Sequence, residues 1–140
     1  MLAEEETTLL MFMLALACSS GGKDSAADSG TPTNTTPATL SGIQADIFTN
    51  SCGFSSCHGQ GGNAANLVLD EGESYANLVN APSTDDPSVM RVAPGDPAAS
   101  VLMIRLESDD MTYVMPPSQP LSAAKIEAVR SWIEAGALDN

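Results

Sequence analysis

The residues that could do chemistry cluster in one short stretch: Cys52-Gly53-Phe54-Ser55-Ser56-Cys57-His58. Two thiols and an imidazole stand within one seven-residue window, and His58 is the only histidine in the chain. A C-x-x-C-H run is the attachment signature of c-type haem. There the two thiols add to the vinyl groups of the porphyrin, and the adjacent imidazole is held over one face of the ring. The run here is C-x4-C-H. The two extra residues can bulge outward, because Gly53, Ser55 and Ser56 are small and turn-compatible. Two other chemistries use the same residues. Cys52 and Cys57 could close a disulfide in an oxidising compartment, or serve as a redox-active pair. A zinc site would be one ligand short, since two cysteines and one histidine have no second cluster to join.

With a single histidine, a haem iron held by His58 would need a different sixth ligand. Methionine is the expected one. Met115-Pro116 lies in a polar, proline-rich loop just ahead of the last helix. Methionine is usually core filler, but an apolar side chain in such a loop has little else to pack on. Met111 is the second candidate. Met90 and Met103 follow, and Met103 falls inside a predicted helix.

Helices must position these groups. Ser41 with Gln44 three residues on forms a capping-box pattern. The helix it opens carries Ile43, Ile47 and Phe48 on one face and runs into Cys52. Residues 59–66 are a Gly/Asn loop, and 67–69 a short apolar stretch. Asp70 to Asn80 reads as a helix with acidic residues at its start and Tyr75, Leu78 and Val79 as its stripe. A proline-rich loop over 81–97 leads to Asp96-Pro97, an N-cap followed by a proline at the first helical position. The helix Ala98 to Leu106 follows. After a loop over 107–120, Ser122 is placed to cap the last helix and Leu121 to staple onto Ile126. Its stripe is Ile126, Val129, Trp132 and Ile133, and Gly136 stops it. No strand alternation or internal repeat is visible. The class is all-α, with about four short helices and long loops.

The N-terminal third has a different character. Residues 7–17 are an apolar run ending at Cys18. It is too short for a mature transmembrane helix, which needs about 20 residues, and it suits the core of an export signal. The segment LALAC resembles a bacterial lipoprotein cleavage site, which implies acylation of Cys18. The preceding Glu4, Glu5 and Glu6, with no basic residue, and Ala15 where leucine is usual depart from that pattern. Residues 19–40 are rich in Ser, Gly, Thr and Pro and read as a flexible tether with a reach of roughly 25 Å. Three divisions result: a signal segment at 1–18, a tether at 19–40 and a domain at 41–140.

Charge narrows the partners. The chain has 18 Asp and Glu against 5 Lys and Arg, a net charge of −13. That argues against nucleic acid, which needs Lys/Arg clusters, and against docking on anionic lipid through a basic patch. A solvated acidic surface is the simplest account, and a docking face for a basic partner the alternative. Aromatic residues make up only 4% of the chain. That is thin for a core of this size, and a large apolar cofactor would make up the deficit. No acid–base set is visible, so enzymatic activity is not expected.

The order of features resembles the single-haem cytochrome c-like domains of bacterial lipoproteins. The segments that carry the resemblance are IFTNSCGFSSCHG, ANLVLD, YANLVN, RVAPGDPAASVLMIRL, MPP and LSAAKIEAVRSWIEAGA, spread over residues 41–137. The resemblance implies a cytochrome c-like fold around one covalent haem c, with Cys52 and Cys57 bearing it. His58 would be the proximal ligand and Met115 the distal one. Arg91 and Arg105 are candidates for the haem propionates, because a guanidinium suits a carboxylate fork. It also implies that the first and last helices cross, with Ile47 or Phe48 against Val129 and Trp132. The expected function is electron transfer between redox partner proteins, in a lipid-anchored protein of the bacterial cell envelope that faces the periplasm or the exterior. The alternative is an envelope interaction domain with a Cys52–Cys57 disulfide and no haem.

Overall fold

The structure, a computed structural model, describes residues 35–117 and 119–140. The signal segment, Cys18 and the tether up to residue 34 lie outside the described residues. Helix α1 (Leu40–Ile43) continues without a break into a π-helix (Gln44–Cys52). Helices α2 (Ser74–Leu78), α3 (Val101–Leu106) and α4 (Ala123–Glu134) follow, with long connections between them. Among the described residues the only β features are isolated bridges, such as Val79 with Val92. The class is all-α, as the apolar spacing predicts.

The first helix is capped two residues before the predicted cap. Thr39, in extended backbone, accepts a hydrogen bond on Oγ1 from Gly42 N at 3.1 Å. Ser41 is already inside the helix. Gln44 does not reach back to close a capping box; its amide turns inward and is buried. Gln44 Nε2 donates to Leu69 O at 3.0 Å, and Gln44 Oε1 accepts from Ser74 Oγ at 2.7 Å. A buried amide left without partners would be costly. Joining the first helix to α2 and to the strand-like 67–69 segment satisfies it. The wider winding that follows is closed by Gly53 N on Phe48 O at 2.6 Å, a five-residue step. It carries Cys52 in its last turn.

Two predicted helices are shorter than expected. Residues 70–73 form a turn, with Gly72 at φ +83°, and Asn80 at φ 56° closes α2 off. The predicted start at Asp96-Pro97 makes only a single turn, capped by Ala99 N on Asp96 Oδ1 at 3.0 Å. Ser100 then leaves the helix in extended backbone. It is fully buried, and its hydroxyl serves Ala93 N at 2.9 Å and Asp96 O at 2.8 Å. The 93–100 loop is thereby folded on itself before α3 begins.

α4 runs as predicted. Ser122 holds the N-cap position, although its hydroxyl makes no capping bond. Gly136 at φ +101° reverses the chain, a conformation open to glycine without steric cost. Ala137 N then reaches Trp132 O at 2.9 Å. α4 packs against both α1 and α3. Ile43, Ile47, Phe48, Val129, Trp132 and Ile133 belong to one buried cluster, with Leu69, Leu78, Val92 and Met103. The contact between first and last helices is therefore as expected. Lys125 Nζ also donates to Asp46 O at 2.9 Å, tying α4 to the π-helix. Among the described residues no helix is long and apolar enough to cross a membrane.

Candidate cofactor site

Beside this core the connections leave a cleft of about 130 Å³, partly open to solvent. That is below the roughly 300–1,000 Å³ usual for small-molecule and cofactor sites; the lining, not the volume, marks it out. Its walls are apolar: Leu67, Leu69, Leu78, Val101, Leu102 and Leu106. Cys52, His58 and Met115 stand on its lining, as do Arg91 and Arg105. Residues far apart in sequence thus converge on one apolar space.

The attachment segment is a compact turn. Cys57 N donates to Phe54 O at 2.8 Å, Gly59 N to Phe54 O at 3.0 Å, and His58 N to Cys52 O at 3.1 Å. The extra residues bulge outward, and Phe54 is 52% exposed. Gly62 packs against this turn so closely that a Cβ there would lie 2.5 Å from Cys57 O and 2.6 Å from Cys57 N. Both obstacles are backbone, so they cannot rotate aside. Gly62→Ala is expected to destabilise the domain by about 1–3 kcal/mol, the usual cost of overpacking. It should also lower the yield of correctly matured protein, both read by thermal denaturation and absorbance.

His58 is oriented by the chain itself. Its Nδ1 lies 3.1 Å from Ala64 O. A carbonyl can only accept, so Nδ1 carries the proton and Nε2 keeps its lone pair. That is how a metal-binding histidine is fixed in tautomer and ring plane. The backbone of His58 is held from the other side by Leu69 N donating to His58 O at 2.7 Å. Asp70 Oδ2 accepts from Gln60 N at 2.9 Å and steadies the same loop.

The two thiols are free and differ in setting. Cys52 is on the cleft lining, and its pKa is pushed up to about 11 by burial, with neighbouring Cys57 adding and Lys125 opposing. Cys57 is half-buried outside the lining, with Sγ 3.7 Å from Ser56 Oγ. Among the candidate methionines, Met115 alone lines the cleft. Met103 is buried in the core, and Met111 is 65% exposed. Met115 N donates to Arg105 O at 3.0 Å, anchoring the loop to the end of α3.

Both arginines are at the cleft, each with partners of its own. Arg105 Nη2 bonds exposed Asp85 at 2.6 Å, and its guanidinium stacks 3.6 Å from the Tyr113 ring centroid. Arg91 Nη1 donates to Asn77 O at 2.9 Å, and Nη2 to Ala65 O at 3.0 Å and Thr84 Oγ1 at 3.0 Å. Burial pulls the Arg91 pKa below its ordinary value. Sequence reasoning missed Ala64, Thr84 and Asp85. A backbone carbonyl leaves no signature in residue type, and Thr84-Asp85 reads as ordinary loop. Among the described residues no group of three His, Cys, Asp or Glu could hold a bare metal ion. The donors present, an imidazole and a thioether sulfur on an apolar cleft beside thiols, suit an iron porphyrin.

A model of the family described as Planctomycete cytochrome C matches residues 55–119, a little under half of the chain. The matched stretch takes in Cys57, His58, Arg91, Arg105 and Met115 and leaves out Cys52 and the first and last helices. No curated protein and no solved structure matches. The similarity supports a cytochrome c-like domain, and the all-α fold is cytochrome c-like. Covalent haem c and haem-based electron transfer in general go with that similarity.

Proposed function

We propose that the chain carries one covalent haem c and passes single electrons between redox partner proteins while tethered to a bacterial envelope membrane by an acylated Cys18. The observation that carries this reading is the convergence of Cys52, His58 and Met115 on one apolar cleft, with His58 Nδ1 committed to Ala64 O. When bound, the haem supplies an iron that cycles between ferrous and ferric states.

The chain's own residues do the rest. Cys52 and Cys57 would hold the group covalently. His58 presents Nε2 as the proximal ligand and Met115 its sulfur as the distal one. Two protein ligands on one iron would leave it no open position, which would favour electron transfer over ligand or substrate chemistry. A thioether partner raises the potential relative to two imidazoles. The leucine walls make the surroundings of the site apolar, and burial is a second lever on potential. Arg105 is the better placed of the two arginines to meet a propionate. Its present partner Asp85 is exposed and exchangeable, whereas Arg91 is engaged within the fold. The LALAC segment supports the lipid anchor, and the acidic composition supports a protein partner over nucleic acid. No acid–base set suggests enzymatic turnover.

The test is the pyridine haemochrome spectrum of protein made with a cytochrome maturation system, together with Met115→Ala. One haem per chain is expected, with a long-wavelength Met–Fe(III) charge-transfer band that Met115→Ala abolishes. Colourless protein with Cys52 bonded to Cys57 overturns the redox reading in favour of an envelope interaction domain.

A further inference from the structure

The turn that receives the His58 proton is held in an unfavourable backbone conformation. Asn63, Ala65 and Asn66 have φ of 46°, 54° and 52°. Asparagine tolerates that region; alanine does not, because its Cβ crowds the following carbonyl. Strain of this kind persists only where the surroundings over-determine it. Here they do. Arg91 Nη2 donates to Ala65 O at 3.0 Å and to Asn66 O at 3.2 Å. Thr84 Oγ1 donates to Ala65 O at 2.6 Å and accepts from Arg91 Nη2 at 3.0 Å.

Arg91 is itself rooted on both sides. Its N donates to Ala81 O at 2.8 Å, its O accepts from Leu102 N at 2.9 Å, and Nη1 donates to Asn77 O at 2.9 Å. The guanidinium therefore transmits the position of α2 and α3 to the turn. Ala64, whose carbonyl accepts from His58 Nδ1, immediately precedes the pinned residues.

We infer that Arg91 is a positioning residue for the proximal ligand: it clamps the left-handed turn at 63–66 so that Ala64 O fixes His58 with Nε2 available. This rests on the reading of His58 as the iron's ligand. It assigns Arg91 a task inside the fold, in place of the propionate contact that its charge suggests. Lysine cannot substitute fully, because it lacks the planar fork that reaches Asn77 O and the turn together.

The test compares Arg91→Gln and Arg91→Lys with the parent in full-length, haem-loaded protein, reading exchange of the His58 Nδ1 proton by NMR. Exchange is expected to quicken about tenfold in Arg91→Gln, the scale of losing a charged hydrogen bond, and by less in Arg91→Lys. Ile133→Val, a loss of packing in the core, should leave exchange at the parent rate. Parent-rate exchange in Arg91→Gln overturns the inference. So does equal quickening in Ile133→Val, which would make the effect global. If Arg91→Gln does not fold, Thr84→Val decides: faster exchange supports the clamp, and the parent rate sinks it. If maturation gives colourless protein, the proposed function fails separately. The His58 tautomer, read by nitrogen NMR in the unloaded full chain, then still decides this inference. Nδ1–H in the parent and a mixture in Arg91→Gln supports it; an unchanged tautomer overturns it.

Discussion

His58→Ala is expected to leave protein from a cytochrome maturation system with no low-spin haem spectrum and with its haem content reduced at least tenfold. Disturbing only the partner of a metal-bound histidine typically costs about 10–100-fold in affinity or activity, so removing the imidazole itself should cost no less. The argument for so large an effect is one of supply. His58 is the sole histidine of the chain, and no other imidazole can be recruited. The distal side is different, because seven methionines are present and one could in principle replace another. Met115→Ala should therefore change the spectrum while keeping the attached haem, whereas His58→Ala should remove both. Haem content by the pyridine haemochrome method and the visible spectrum of the oxidised protein separate the two outcomes. Attached, low-spin haem in His58→Ala would sink the assignment of the proximal ligand.

That contrast follows from how the site is built. The proximal side is local: Cys52, Cys57 and His58 share one turn, and the acceptor at Ala64 is six residues from His58. The distal side is remote and depends on the end of α3 through Met115 N on Arg105 O. A local motif survives modest changes elsewhere in the fold. A ligand brought in by a long loop is sensitive to whatever positions that loop. Loosening the contacts of Arg105 should show first at Met115, and loosening those of Arg91 first at His58.

The same distinction governs what could be read from residue types. The attachment segment, the stripe of α4 and the Gly136 stop are local patterns, and each is where its spacing placed it. The groups that failed to announce themselves answer to distant partners. Gln44 looks like a capping-box residue because a Glu or Gln at that spacing usually reaches back. Its amide instead meets Leu69 O and Ser74 Oγ, which no window of sequence near Gln44 contains. Ser100 sits where α3 should continue, and the buried hydrogen bonds to the 93–96 loop pull it out of the helix. Arg91 looked like a propionate partner because a guanidinium suits a carboxylate fork. Of its four side-chain hydrogen bonds within the protein, two go to the 63–66 turn, and alanine at a left-handed position gives no warning of such a turn.

Trp132→Ala should produce the largest loss of stability of any single side-chain truncation in α4. Trp132 is 1% exposed and lies in the cluster where α4 meets the first helix. Truncating a buried tryptophan to alanine costs about 3–5 kcal/mol, through lost burial and the cavity that remains. Its indole Nε1 also donates to Leu138 O at 2.8 Å, which holds down the segment after Gly136. A domain of this size loses roughly 4 °C or more in Tm for each kcal/mol, so a fall of well over 10 °C is expected by circular dichroism. Trp132→Phe separates the two contributions, since it keeps most of the apolar volume and removes the N–H donor. Its cost should be nearer that of one hydrogen bond, about 1 kcal/mol, plus a partial cavity. The chain is poor in aromatic residues, so few other side chains could close such a gap. A small, equal loss in both variants would mean that α4 is held by Val129 and Ile133 alone and that the indole is packing of little consequence.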